Sequence, residues 1–192
     1  MTVSLKRGFK ANANRIALKV RADLGLLPHA PIDLARLAKS LNIEIVPLSA
    51  FAASHPKSAK QLMHHDRKAL SGCLIPLPSG QRILLHNDAH PTSRQNSNIA
   101  HELAHALLEH DATAPIDEWG CRNLNTEIEE EANWLGGVLL ITDEAALHIV
   151  RSSMAQKAAQ KEYGVSSVML KLRLNMSGAL IRAKRAGTLV VH

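Results

Sequence analysis

Ile99-Ala100-His101-Glu102-Leu103-Ala104-His105-Ala106-Leu107-Leu108 is the stretch on which the reading of this chain turns. Its apolar residues recur at helical spacing. On an α-helix His101 and His105 then stand one turn apart on one face, so both imidazoles can reach a single ion. Glu102 follows the first histidine, near enough to take a proton from an activated water yet turned away from being a ligand itself. Small and aliphatic residues flank the motif on both sides, where polar groups left without partners are costly. A Zn2+ ion held by His101 and His105, with Glu102 as general base, accounts for all three side chains, because zinc brings a bound water to a pKa of roughly 7.

A catalytic zinc takes three protein ligands and keeps one position open. Asp111 lies ten residues after His101, but sites with that spacing bend the chain at a glycine, and Leu108 stands at that place here. A helix running on through Leu108 carries Asp111 away. The other candidates sit in Glu127-Ile128-Glu129-Glu130-Glu131-Ala132-Asn133, at the start of a second apolar-periodic helix. Glu129 is the choice. Asn133 follows it four residues later on the same face and can hydrogen-bond the far nitrogen of a ligating histidine, His101. Glu131 is the fallback, while Glu127 and Glu130 suit a solvated face or the charges favoured at a helix N-terminus.

Outward from these two blocks the pattern continues. Helical spacing covers 12–24 and ends at Gly25, and a second helix opens at Pro31 and Asp33 and closes at Asn42 before the β-branched run Ile43-Glu44-Ile45-Val46, a strand. Periodicity is lost over 49–68, which reads as a loop. Leu74-Ile75-Pro76-Leu77 and Ile83-Leu84-Leu85-His86, joined through Pro78-Ser79-Gly80, read as a hairpin. The metal helix is expected over 94–110 and the ligand helix over 126–141, with a polar interval containing Pro115 and Gly120 between them. The remainder is helical, broken at Gly164 and Gly178. The expected fold is therefore α+β. A small sheet packs on the active-site helix and the ligand-bearing helix over residues 1–145, and a helical C-terminal portion follows over 146–192.

Composition narrows the function further. Two cysteines, Cys73 and Cys121, stand far apart in no ligand or redox spacing, so a reducing compartment, the cytoplasm, is expected. No signal-like segment and no membrane-length apolar run is present. Aromatic residues make up only 3%, too few for a base-stacking platform. The net charge of +6 conceals an asymmetry: residues 1–99 carry +9, residues 100–147 carry −10 and residues 148–192 carry +7. The acidic middle third suits a divalent cation and a basic partner, or is simply a set of solvated helix faces. Tyr163, His148, His64, His65, His86 and His90 read as structural or loop residues, and Cys121 as an inert thiol. Residues 155–176 have the outline of a helix-turn-helix, which makes direct DNA contact conceivable, with core packing the favoured reading.

The two blocks together, Arg94 with Ile99 to Leu108 and then Glu129-Glu130-Glu131-Ala132-Asn133-Trp134-Leu135 with Val138-Leu139-Leu140, resemble the ImmA/IrrE family of metallo-endopeptidases, of the gluzincin type. The resemblance extends upstream to Pro31-Ile32-Asp33 and Leu41-Asn42-Ile43, and downstream to Tyr163-Gly164-Val165-Ser166 and Arg173-Leu174. It implies Glu129 as the metal-binding carboxylate. It also implies a specific intracellular protein as substrate, in this family commonly a helix-turn-helix transcriptional repressor. Two positions depart from the family's habit: Ala104 stands where glycine is frequent, and Ile141-Thr142 where Met-Pro is frequent. Neither touches the metal. The rival readings are a DNA-binding regulator whose metal is structural or sensory, and a toxin-antitoxin partner acting by protein contact.

Overall fold

The computed structural model describes residues 5–110 and 126–186. Helix α1 (Phe9–Asp23) buries Phe9, Ala13, Ala17 and Val20 at helical spacing, and Gly25 follows in the left-handed region at φ 69°. Helix α2 (Leu34–Ser40) opens on Asp33, whose carboxylate accepts hydrogen bonds from the backbone of Ala35 and Arg36. It closes at Asn42, at φ 56°, one of the few residue types that tolerate that conformation. Strand β1 (Ile43–Pro47) follows directly. Strands β2 (Gly72–Pro76) and β3 (Arg82–His86) form the expected antiparallel hairpin, and β1 joins β3 in parallel, so the order is β1-β3-β2. Leu84 of the central strand is fully buried, and β2 is left at an edge.

Residues 48–65 are more regular than the sequence suggests. A 3-10 turn (Leu48–Phe51) leads into the short helix α3 (Pro56–Lys60), which runs on as one wide π turn (Gln61–His65). These pieces are too short to display a period. They are pinned from a distance, since buried Asn87 donates to the carbonyls of Leu62 and Leu70 at 3.0 and 3.2 Å.

Helices α4 (Thr92–Leu107) and α5 (Thr126–Leu140) pack side by side, with α4 also on the sheet and α1 against α5. Gly136 permits the close approach: a Cβ there would stand 3.1–3.3 Å from the backbone of Ala100 and His101. Thr142, where the resembling family often has proline, caps helix α6 (Asp143–Arg151) by accepting from the Ala145 amide and donates to the Pro28 carbonyl. Helices α7 (Gln156–Glu162), α8 (Ser167–Met176) and α9 (Ala179–Arg185) complete the described chain, with Gly164 and Gly178 at positive φ where breaks were expected. The buried apolar residues form one cluster from α1 and the sheet through α4 and α5 to Ala146, Ala159, Leu170 and Ala179. The architecture is α+β. Among the described residues no helix is long and apolar enough to cross a membrane.

Candidate metal centre

Helix α4 delivers His101 and His105 to one side, as their spacing requires, and α5 brings Glu129 across to them. The Nε2 atoms of the two histidines are 3.0 Å apart. Glu129 straddles them, with Oε2 3.3 Å from His101 Nε2 and Oε1 3.4 Å from His105 Nε2. One donor atom from each of the three side chains lies within 4.8 Å of the other two, close enough for all three to converge on a single ion. Two imidazole nitrogens 3.0 Å apart are within reach of one shared hydrogen or one shared cation. Among the described residues this is the group of His, Cys, Asp and Glu side chains that could hold a metal ion.

The electrostatics fit the same use. Hydrogen bonds from His101 and His105 hold the Glu129 carboxyl far below the ordinary carboxylate range, against the effect of burial. Burial disfavours the charged form of His101, but its hydrogen bond to Glu129 and the charges of Glu102 and Glu129 outweigh this and raise its pKa. Glu129 is thus held as an anion facing His101, whose charged form it favours, and an anionic carboxylate beside imidazole nitrogens is also what a divalent cation requires.

Glu102 lies outside the trio and is buried at 6% exposure. Its side chain rests against the edge strand, where a Cβ at Gly72 would stand 3.3 Å from Glu102 Cγ. Asn133 is exposed and lies beside the His101 ring, helping to raise its pKa. The expected hydrogen bond to the far nitrogen is not made in standard geometry, because the buried Nδ1 of His101 has no partner within bonding criteria. Glu131, the fallback, faces His110 and Lys6 instead, at 3.4 and 3.6 Å.

One premise of the sequence reading is corrected. Helix α4 does not continue to residue 110; it ends at Leu107, and the chain turns back through Glu109 at φ 54° without any glycine. The amide of His110 donates to the His105 carbonyl at 3.0 Å and that of Glu109 to the Ala106 carbonyl at 3.4 Å, the paired bonds of a Schellman end. Asp111 and Cys121 lie outside the described residues, so Glu129 rests on its own position rather than on the exclusion of Asp111.

Residues 38–175 match the model of the peptidase M78 family, described as the IrrE N-terminal-like domain. The chain belongs to this family. The match spans the sheet, both site helices and most of α8, and it agrees with the resemblance carried by the two motif blocks. No curated protein matches the chain. Membership in M78 implies peptidase chemistry, for which His101, His105 and Glu129 offer a candidate zinc site.

Sequence reasoning missed three residues of this M78 site. His110 places its Nδ1 3.0 Å from Nδ1 of His105, a contact made only because the helix reverses at Glu109. Gly72 and Gly136 leave room for Glu102 and for the α4–α5 contact, and an isolated helix or strand pattern assigns neither a role. Among the described residues the remaining histidines and Tyr163 are not part of the cluster. Tyr163 donates its hydroxyl to the His29 carbonyl at 2.9 Å, His148 stacks on His29, and His90 Nε2 lies 3.0 Å from the Arg67 carbonyl.

Proposed function

We propose that the protein is a zinc-dependent endopeptidase in which His101, His105 and Glu129 hold the metal and Glu102 is the general base. The observation that carries this is the convergence of His101, His105 and Glu129 on one point, beside a buried carboxylate that is not one of them. Zinc bound there would supply the Lewis acidity that makes water a nucleophile near neutral pH. Glu102 takes the proton of the attacking water and returns it to the amine nitrogen that leaves. Burial keeps this carboxylate from competing solvent, and its seat against Gly72 sets its direction. Strand β2, at the sheet's edge, offers backbone donors and acceptors to an extended peptide.

The substrate we propose is a specific intracellular protein, a helix-turn-helix transcriptional repressor. Exposed Glu127 and Glu130 flank the metal carboxylate, and a basic DNA-binding protein complements them. The outward face of α8 favours protein contact over base readout, since it exposes Val168, Leu172 and Met176 at 75%, 49% and 46% where a recognition helix needs polar side chains. Glu102→Gln should keep about one zinc and lose cleavage of such a repressor, whereas His101→Ala should lose the zinc. Undiminished cleavage by Glu102→Gln would remove Glu102 from the mechanism, and full zinc retention by His101→Ala would remove the site.

A further inference from the structure

We infer that His110 and Glu131 are a positioning pair that holds His105 for the metal through one directed line of hydrogen bonds. The inference rests on the metal reading above and concerns residues that this reading does not use. His105 turns Nε2 toward His101 and Glu129, and turns Nδ1 toward Nδ1 of His110, 3.0 Å away. The other nitrogen of His110, Nε2, faces Glu131 Oε2 at 3.4 Å, and Glu131 Oε1 lies 3.6 Å from the ammonium of Lys6. The side chains of His110 and Glu131 are only 10% and 12% exposed, whereas Lys6 is 72% exposed, so the line runs from solvent through a mostly buried carboxylate and imidazole to the ligand.

The chemistry of imidazole allows one direction along this line once a cation is in place. A ligating His105 uses the lone pair on Nε2 and so carries its hydrogen on Nδ1. That N–H can donate only to a lone pair, which obliges His110 to be bare at Nδ1 and to carry its own hydrogen on Nε2. The His110 Nε2–H then points at the Glu131 carboxylate, which accepts. Every donor meets an acceptor, and neither tautomer can be exchanged without breaking a contact. The backbone enforces the arrangement independently, since the Schellman end of α4 folds His110 back onto the turn that carries His105. Among the described residues no such line of side chains leads to the buried Nδ1 of His101. A carboxylate two steps away thus sets the ring plane of His105 and raises its basicity.

The test is zinc affinity of the full-length protein by chelator competition, for wild type, His110→Ala, Glu131→Gln and the double variant. Supporting contacts of this kind are worth on the order of 10–100-fold in metal affinity, so His110→Ala should weaken zinc binding within that range and Glu131→Gln by less. Because Glu131 acts only through His110, the double variant should bind zinc no more weakly than His110→Ala alone. Nitrogen-15 NMR of the zinc-loaded wild type supplies a signature that a merely structural role would not produce: hydrogen on Nδ1 of His105 and on Nε2 of His110. Should His110→Ala fail to fold, Glu131→Gln and the NMR assignment still decide. Unchanged affinity in both single variants, additive losses in the double variant, or hydrogen on Nδ1 of His110 would overturn the pair. Wild-type protein that binds no zinc would instead overturn the metal reading itself, and the pair with it.

Discussion

Gly136→Ala should damage the proposed metal centre although residue 136 is no part of it. The added methyl would stand 3.1 Å from the backbone nitrogen of His101, 3.2 Å from its Cα and 3.3 Å from the Ala100 carbonyl carbon. All three are main-chain atoms inside a helix, so no side chain can rotate away. Relief requires α4 and α5 to part by a few tenths of an ångström at the level of His101, and metal–ligand distances tolerate only about 0.2 Å. Overpacking of this kind costs about 1–3 kcal/mol, and the Gly→Ala helix preference returns at most about 1 kcal/mol. Gly137→Ala is the internal control. Its methyl would meet the end of the Met169 side chain at 3.4 Å and Cδ of Arg173 at 3.5 Å, ordinary contact distances that need no shift, so the helix preference should dominate there. Neighbouring substitutions of identical chemistry should thus differ by about 2 kcal/mol, or about 4–8 °C in melting temperature for a chain of this size. Only Gly136→Ala should weaken zinc binding as well. Thermal unfolding of the metal-free proteins and chelator competition on the loaded ones measure both effects. Equal behaviour of the two variants would refute the claim that helix spacing sets the ligand geometry.

On the proposed roles, Glu129→Gln removes a ligand and Glu131→Gln only a support, so the former should weaken zinc binding far more; a reversed order in chelator competition would mean that α5 presents another face to the metal. Zinc affinity should fall on acidification from a pH above the ordinary imidazole value of about 6.5, because the raised pKa of His101 means a proton must be displaced there first. In the metal-free protein the sign is opposite. Stability from the His101–Glu129 pair is fully present below the unfolded imidazole pKa and is lost as pH rises through the raised folded value, so melting curves across that window check both statements. Gly72→Ala should keep zinc but lower turnover, on the order of tenfold, as the methyl displaces the Glu102 side chain; unaltered turnover would show that this contact does not direct the base.

The sequence by itself determined whatever depends on neighbours along one element. The i, i+4 spacing of His101 and His105 and the offset of Glu102 between them are periodic properties, and backbone geometry converts them into faces without further information. The turn signal at Pro78-Ser79-Gly80 and the breaks at Gly164 and Gly178 were legible for the same reason. Glu129 was legible as a choice among neighbouring carboxylates, though the dismissal of Asp111 rested on a helix continuing past Leu108. A left-handed residue at Glu109 ended that helix, a conformation that composition does not advertise outside glycine and asparagine.

Tertiary structure alone decided the distances between elements. Which carboxylate of α5 reaches the histidines depends on how closely and in what rotation α5 lies on α4, and Gly136 sets that through a contact with residues 35 and 36 positions earlier. The His110–Glu131 line, the seat of Glu102 on Gly72 and the anchoring of residues 48–65 by Asn87 likewise join segments remote in the chain. Periodicity reports only the direction in which a side chain leaves its own backbone; what it meets is fixed by packing, where a single methyl group changes the separation by more than a coordination bond can absorb.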